Sequence, residues 1–149
     1  MAGGGSITDR DRGFGALLRA VKGASGTVQV GVADTPREDD RGLTNADVAA
    51  FHEFGDRPFI RPWVDENQPG IRSSLRYWVT QTLAGKKPWR NSLEKFGEYA
   101  VKGIRKKIDQ GVPPPLAKST EKRKGHALAL VDTKQMYDAV TYEIDEAVK

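Results

Sequence analysis

His52 and His126 are the two histidines of a 149-residue chain that has no cysteine. Imidazole chemistry therefore has two places to occur and thiolate chemistry has none, which excludes disulfides, thiolate zinc sites and a cysteine nucleophile. His52 stands beside Glu53, and adjacent residues on a helix point in different directions, so the pair builds no shared metal site. The HExxH spacing is absent. His126 lies in a basic loop beside Gly125. A hydrolytic set of Ser119, His126 and Asp132 can be written down, but no nucleophile elbow surrounds the serine. Glu38-Asp39-Asp40 lacks the alternating ligands of a calcium loop and reads as a solvated run. Gly3 to Gly5 and Gly13-Phe14-Gly15 have neither a phosphate-loop lysine nor a preceding strand. No catalytic residue, metal or cofactor is nominated, and a non-enzymatic protein is the expectation.

The basic residues offer a different chemistry. Lys86, Lys87, Arg90, Lys95, Lys102, Arg105, Lys106 and Lys107 could contact phosphates, with Trp89 among them. Such charges supply salt-dependent affinity without base specificity, and no helix-turn-helix or zinc finger accompanies them. The net charge of +4 conceals their concentration. Met1–Glu66 holds 8 basic and 11 acidic residues, a net of −3; Asn67–Leu130 holds 14 and 4, a net of +10; Val131–Lys149 holds 2 and 5, a net of −3. A basic middle of this kind steers a polyanion or docks on an acidic neighbour.

These groups have to be positioned by elements that the periodicity predicts. Hydrophobic residues are 38% and charged residues 30%, which suits a modest core with much polar surface. No apolar run reaches the ~18 residues of a membrane span, and Met1–Thr8 lacks the sections of a secretory signal. A soluble cytoplasmic or particle-bound protein is expected. The length predicts one domain, residues 12–149, preceded by a flexible segment over 1–11. Phe14, Leu17, Leu18 and Val21 predict a short helix and Thr27–Ala33 a strand. Asn45 is read as the cap of a helix with Val48, Ala49, Phe51 and Phe54 on its apolar side, ended by Gly55. Pro58 and Pro62 predict a rigid, extended stretch over Asp56–Trp63 that pins Phe59 and Trp63 in the core. Helices follow over 65–84, starting nearer Gln68, and over Trp89–Gln110, the latter with the stripe Leu93, Phe96, Ala100, Ile104 and Ile108. Gly111–Leu116 is an extended spacer. Val140, Tyr142 and Ile144 mark a second strand. The expected fold is α+β: a small antiparallel or mixed sheet from strands near both chain ends, packed against two or three longer helices.

Asn45-Ala46-Asp47-Val48-Ala49-Ala50-Phe51-His52-Glu53-Phe54-Gly55, followed by Arg57-Pro58-Phe59-Ile60-Arg61-Pro62, resembles the signature of tail-completion and head–tail joining (neck) proteins of tailed bacteriophages, including the Mu-type virion morphogenesis proteins. Pro115 to Thr120, Lys124-Gly125, Leu130 to Met136 and Ala139 to Tyr142 resemble the closing pattern of that family in order and approximate spacing. The resemblance implies a mixed α/β subunit of a hexameric ring at the head–tail junction or tail end of the virion. Its partners there would be the head connector or adaptor and the tail tube, and it would be made in the host cytoplasm. Glu53, Phe54, Gly55, Arg57, Pro58, Phe59, Arg61, Pro62, Asp132 and Thr133 are its motif and subunit-contact residues.

Physical reasons stand beside the pattern. Glu53 with Arg57 or Arg61 can form a charge-assisted clamp; alternatively the arginines face a neighbouring subunit. Lys134 replaces the family's usual glycine, which predicts a different turn because lysine disfavours positive φ, and Ala139 replaces a common serine. In a ring the basic section docks on acidic neighbours, the first reading, or lines a channel for passing DNA. A DNA-binding accessory protein using residues 86–107 and a tail terminator are the alternative functions.

Overall fold

The computed structural model describes residues 13–38, 42–125, 130 and 134–145; the expected flexible segment 1–11 lies outside them, as do His126, Asp132 and Thr133. Helix α1 (Phe14–Gly23) leads into strand β1 (Thr27–Val32). Helices α2 (Asn45–Phe54), α3 (Ile60–Glu66), α4 (Gln68–Leu83), α5 (Trp89–Asp109), α6 (Lys118–Lys124) and α7 (Gln135–Asp138) follow, and strand β2 (Val140–Asp145) closes the fold. None of the described helices is long and apolar enough to cross a membrane.

The two strands pair as expected, despite the distance between them in sequence. They are antiparallel, in the register Val28↔Ile144, Val30↔Tyr142 and Val32↔Val140. Alternation therefore places one apolar set from each strand on the same sheet face. The 21-residue α5 packs against both strands, and also against α3 and α4. Its stripe does what the spacing predicts: Leu93, Ala100, Ile104 and Ile108 are buried, while Phe96 is half-buried. Phe59, Trp63, Val112, Met136 and Val140 complete the core around it. Gly97 and Gly103 lie against the Tyr142 ring and the Trp63 indole, so each makes room for an aromatic side chain.

Four local expectations are corrected. The cap of α2 is Thr44: its Oγ1 accepts from Asp47 N–H at 3.2 Å and the Asp47 carboxylate accepts from Thr44 N–H at 2.9 Å. This capping box satisfies two donors at once, and those contacts hold the Asp47 carboxyl below its ordinary range. Asn45 is instead buried and ties down the preceding loop, donating from Nδ2 to Thr35 Oγ1 at 2.9 Å and accepting from Arg37 Nη1 at 3.1 Å. The buried side of α2 is Asn45, Ala49 and Glu53, spaced four apart, so Phe51 and Phe54 fall on the solvent side. Third, Asp56–Trp63 is not extended throughout. α3 starts at Ile60 with Pro62 in its first turn, where the missing N–H has no intrahelical acceptor to lose. Phe59 and Trp63 are nonetheless buried as expected.

The fourth correction concerns Lys134, which holds φ 61° at the N-cap of α7. The left-handed turn is kept despite the lysine. That conformation costs an L-residue about 1–2 kcal/mol, partly offset by the greater unfolded-state entropy of glycine. Lys134→Gly is therefore expected to stabilise the protein by about 0.5–1 kcal/mol, read as a higher midpoint in urea unfolding.

Candidate functional site

The corner between α2 and α3 is built around one carboxylate. Glu53, buried in the last turn of α2, accepts from the N–H groups of Phe59 and Ile60 at Oε2, both at 3.0 Å, and from Arg61 N–H at Oε1 at 2.9 Å. Those are donors at the opening of α3, which carry no intrahelical bond and the positive end of the helix dipole. Arg61 Nε donates to the same Oε1 at 2.9 Å, and Arg61 Nη2 donates to the Glu53 carbonyl. Burial by itself raises the Glu53 carboxyl, but the three backbone donors and the guanidinium outweigh it, so its pKa lies below the usual carboxylate value. Gly55 fits the turn because a Cβ there would stand 2.5 Å from the Phe51 carbonyl oxygen.

Of the two arginines offered for the clamp, the structure selects Arg61. Arg57 reaches away, donating from Nε to Pro114 O at 3.2 Å, and so fastens the corner to the proline-rich spacer. Pro58 precedes the core residue Phe59. Phe54 is 83% exposed and Phe51 67%, and the Arg61 guanidinium lies 5.5 Å from the centre of the Phe54 ring. Glu53, Pro58, Phe59 and Pro62 thus shape the corner from inside and Gly55 forms its exposed turn, while Phe54 and Arg61 reach the surface beside Phe51.

The eight basic residues do not form one free surface. Lys95 pairs with Glu98 at 2.7 Å, Arg90 with Glu94 at 3.0 Å and Lys107 with Glu66 at 2.6 Å. Arg105 is used within the fold: Nη2 donates to Asp138 O and Val140 O, each at 3.0 Å, and the guanidinium packs 5.5 Å from the Tyr137 ring centre. Burial, then the hydrogen bond to Asp109, raise the Tyr137 hydroxyl above its ordinary pKa. Lys86, Lys87, Lys102 and Lys106 are exposed. Trp89, read as an aromatic interleaved with phosphate-binding charges, donates its indole N–H to Ser25 O at 2.9 Å. That bond ties α5 to the link between α1 and β1.

Lys102 and Lys106 form the rim of two clefts flanking α5. One, of about 530 Å3, runs along Val101, Arg105, Tyr137 and the β2 residues Val140–Tyr142. The other, of about 560 Å3, lies toward Trp63, Glu66, Tyr99 and Lys107. Sequence spacing placed these lysines on α5 and a strand at Val140, Tyr142 and Ile144, but carried no sign that the two line one cleft. Among the described residues no group of three or more His, Asp or Glu side chains is placed to hold a metal.

Compared with known proteins, the chain matches no family model, no curated sequence and no solved structure.

Proposed function

We propose that this protein is a non-enzymatic structural subunit of a tailed-bacteriophage virion, completing the tail or joining tail to head as one member of a ring. The observation that carries the reading is apolar helix surface that the described residues leave uncovered. α1 buries none of its residues, with Phe14 65% exposed and Leu17, Leu18 and Val21 exposed beside it. α2 adds Phe51 and Phe54. Surface of this kind marks protein contact, and a closed head-to-tail ring requires two different contact faces on each subunit. The resemblance over Asn45–Pro62 supplies the setting, with the head connector or adaptor and the tail tube as neighbours.

Electron microscopy of assembled particles tests the reading. Density for this chain is expected at the neck or tail end, and density elsewhere overturns it. Phe14→Asp is expected to abolish incorporation while changing the thermal midpoint of the isolated chain little, since Phe14 is 65% exposed.

The DNA-binding alternative rests on Lys86, Lys87, Lys102 and Lys106, the four basic side chains of the set not engaged as above. Its signature is salt-sensitive duplex binding that disappears when all four are reversed in charge.

A further inference from the structure

Among the described residues the two-stranded sheet leaves β2 with an unpaired outer edge, and that edge opens on the most cationic part of α5. Ala33 N–H donates to Ala139 O at 2.8 Å, immediately beyond the Val32↔Val140 pair. In an antiparallel ladder, residues whose backbone groups face the partner alternate with residues whose groups face away. The backbone N–H and C=O of Val140, Tyr142 and Ile144 therefore point away from β1. Arg105 confirms the phase by donating to Val140 O from outside the ladder. Beyond that oxygen, the outward groups of Tyr142 and Ile144 have no hydrogen-bond partner among the described residues.

The cleft beside this edge has a net positive lining. Lys102, Arg105 and Lys106 face Glu98 and Asp109. Both carboxylates are occupied: Glu98 holds Lys95 at 2.7 Å and Asp109 accepts from Tyr137 OH at 3.1 Å. Lys102 and Lys106 make no ion pair with described residues. Arg105 Nε is buried with no acceptor, a donor left unsatisfied inside the cleft wall.

We propose that β2 accepts a third strand from an acidic partner protein, an extended segment carrying Asp or Glu at alternate positions. The spacing follows from four helical rises set against two strand rises. Lys102 and Lys106 are four residues apart on α5, or about 6 Å along its axis. Residues two apart on an extended strand are separated by about 6.6 Å and point to the same side. The cleft that holds both lysines runs along Val140–Tyr142, so a segment hydrogen-bonded to Tyr142 and Ile144 and continuing past Val140 presents its alternate side chains toward α5 at the lysine spacing. Main-chain bonds provide the attachment and the side-chain period provides the selectivity. This deepens the assembly reading by naming the chemistry of one neighbour.

Fluorescence polarisation with a labelled Thr-Val-Glu-Val-Glu-Val-Thr peptide and the full chain tests the proposal. Saturable binding is expected, weakened at least about tenfold by Lys102→Glu with Lys106→Glu and unaltered by Lys86→Glu with Lys87→Glu. A peptide with lysines in place of both glutamates is expected to bind the Lys102→Glu, Lys106→Glu variant, which shows that the variant is folded. Amide resonances of Tyr142 and Ile144 should shift on addition of the first peptide. No binding at millimolar peptide, or equal binding by an isomer with adjacent glutamates, overturns the proposal. Displacement by duplex DNA at matched charge does so too, by making the surface a general polyanion site. A chain at the neck that ignores the peptide loses this proposal alone; a chain that takes the peptide but sits elsewhere loses the ring reading alone.

Discussion

Replacing Glu53 by alanine is expected to cost about 3–5 kcal/mol, because it strands three backbone donors at about 1–3 kcal/mol for each one left buried and unpaired. Three N–H groups at Phe59, Ile60 and Arg61 lose their shared acceptor, and the Arg61 guanidinium loses its counter-charge. For a chain of this size the thermal midpoint should fall by roughly 6–20 °C. Arg61→Ala should cost less, about 1–2 kcal/mol, because Glu53 then keeps its three backbone donors and water can reach the exposed side of the corner. A Glu53→Ala variant as stable as the original would show that the carboxylate does not organise the start of α3.

The same carboxylate sets an acid response. Its folded pKa is lowered, so it binds its proton more weakly in the folded protein than in the unfolded chain. Its contribution is complete above the unfolded value of about 4.3 and is lost as pH falls through the lower folded value. Glu53→Gln does not titrate. The stability gap between Glu53→Gln and the original chain should therefore narrow as the pH is taken from neutrality into that acid range, measured by urea unfolding at each pH.

Gly103→Val is expected to cost about 3 kcal/mol or more. A Cβ at Gly103 would fall 2.4 Å from Cζ2 and Nε1 of Trp63, well inside van der Waals contact. Trp63 is buried in the core and touches the Tyr99 ring at 6.2 Å between centres, so the indole cannot yield without disturbing the packing of α3 on α5. Gly103→Ala should still cost about 1–3 kcal/mol, although alanine favours the helix by about 1 kcal/mol over glycine. Trp63→Phe removes the clashing part of the indole. Its combination with Gly103→Ala is expected to be less harmful than the sum of the single changes, and strict additivity in a double-mutant cycle would reject this packing account.

The α+β class, the pairing of two distant strands and the stripe of α5 were legible because each is written in local periodicity. A strand repeats every two residues and a helix every 3.6, and burial follows the repeat. Val28, Val30 and Val32 therefore meet Ile144, Tyr142 and Val140. The α5 stripe reaches the core for the same reason. Glu53 and Arg61 were nominated together by charge and proximity in sequence, although charge alone did not choose Arg61 over Arg57. That choice depended on where α3 began, and Pro62 made its beginning look later than it is.

What periodicity does not encode is which of several apolar faces is covered. Phe51 and Phe54 have the residue type of a core, yet the buried side of α2 is set by Asn45 and Glu53, because the capping loop and the α3 amides need those polar groups inside. The basic middle section has a similar history. Its composition is sequence information, and Lys95–Glu98 and Arg90–Glu94 are local helix pairs, but the pairing of Lys107 with Glu66 and the internal use of Arg105 depend on neighbours up to 41 residues away.

By itself, then, the sequence determined the types of the longer elements (though not the helix α3), the core stripe of α5, the pairing of the end strands and the exclusion of cysteine chemistry, all of which depend on residue type or short spacing. Only the tertiary structure decided that Glu53 closes the start of α3, that Lys134 adopts a left-handed turn, and that Lys102 and Lys106 stand beside the open edge of β2. Those outcomes depend on long-range contacts, in which the burial of one group is settled by hydrogen-bond partners on another element.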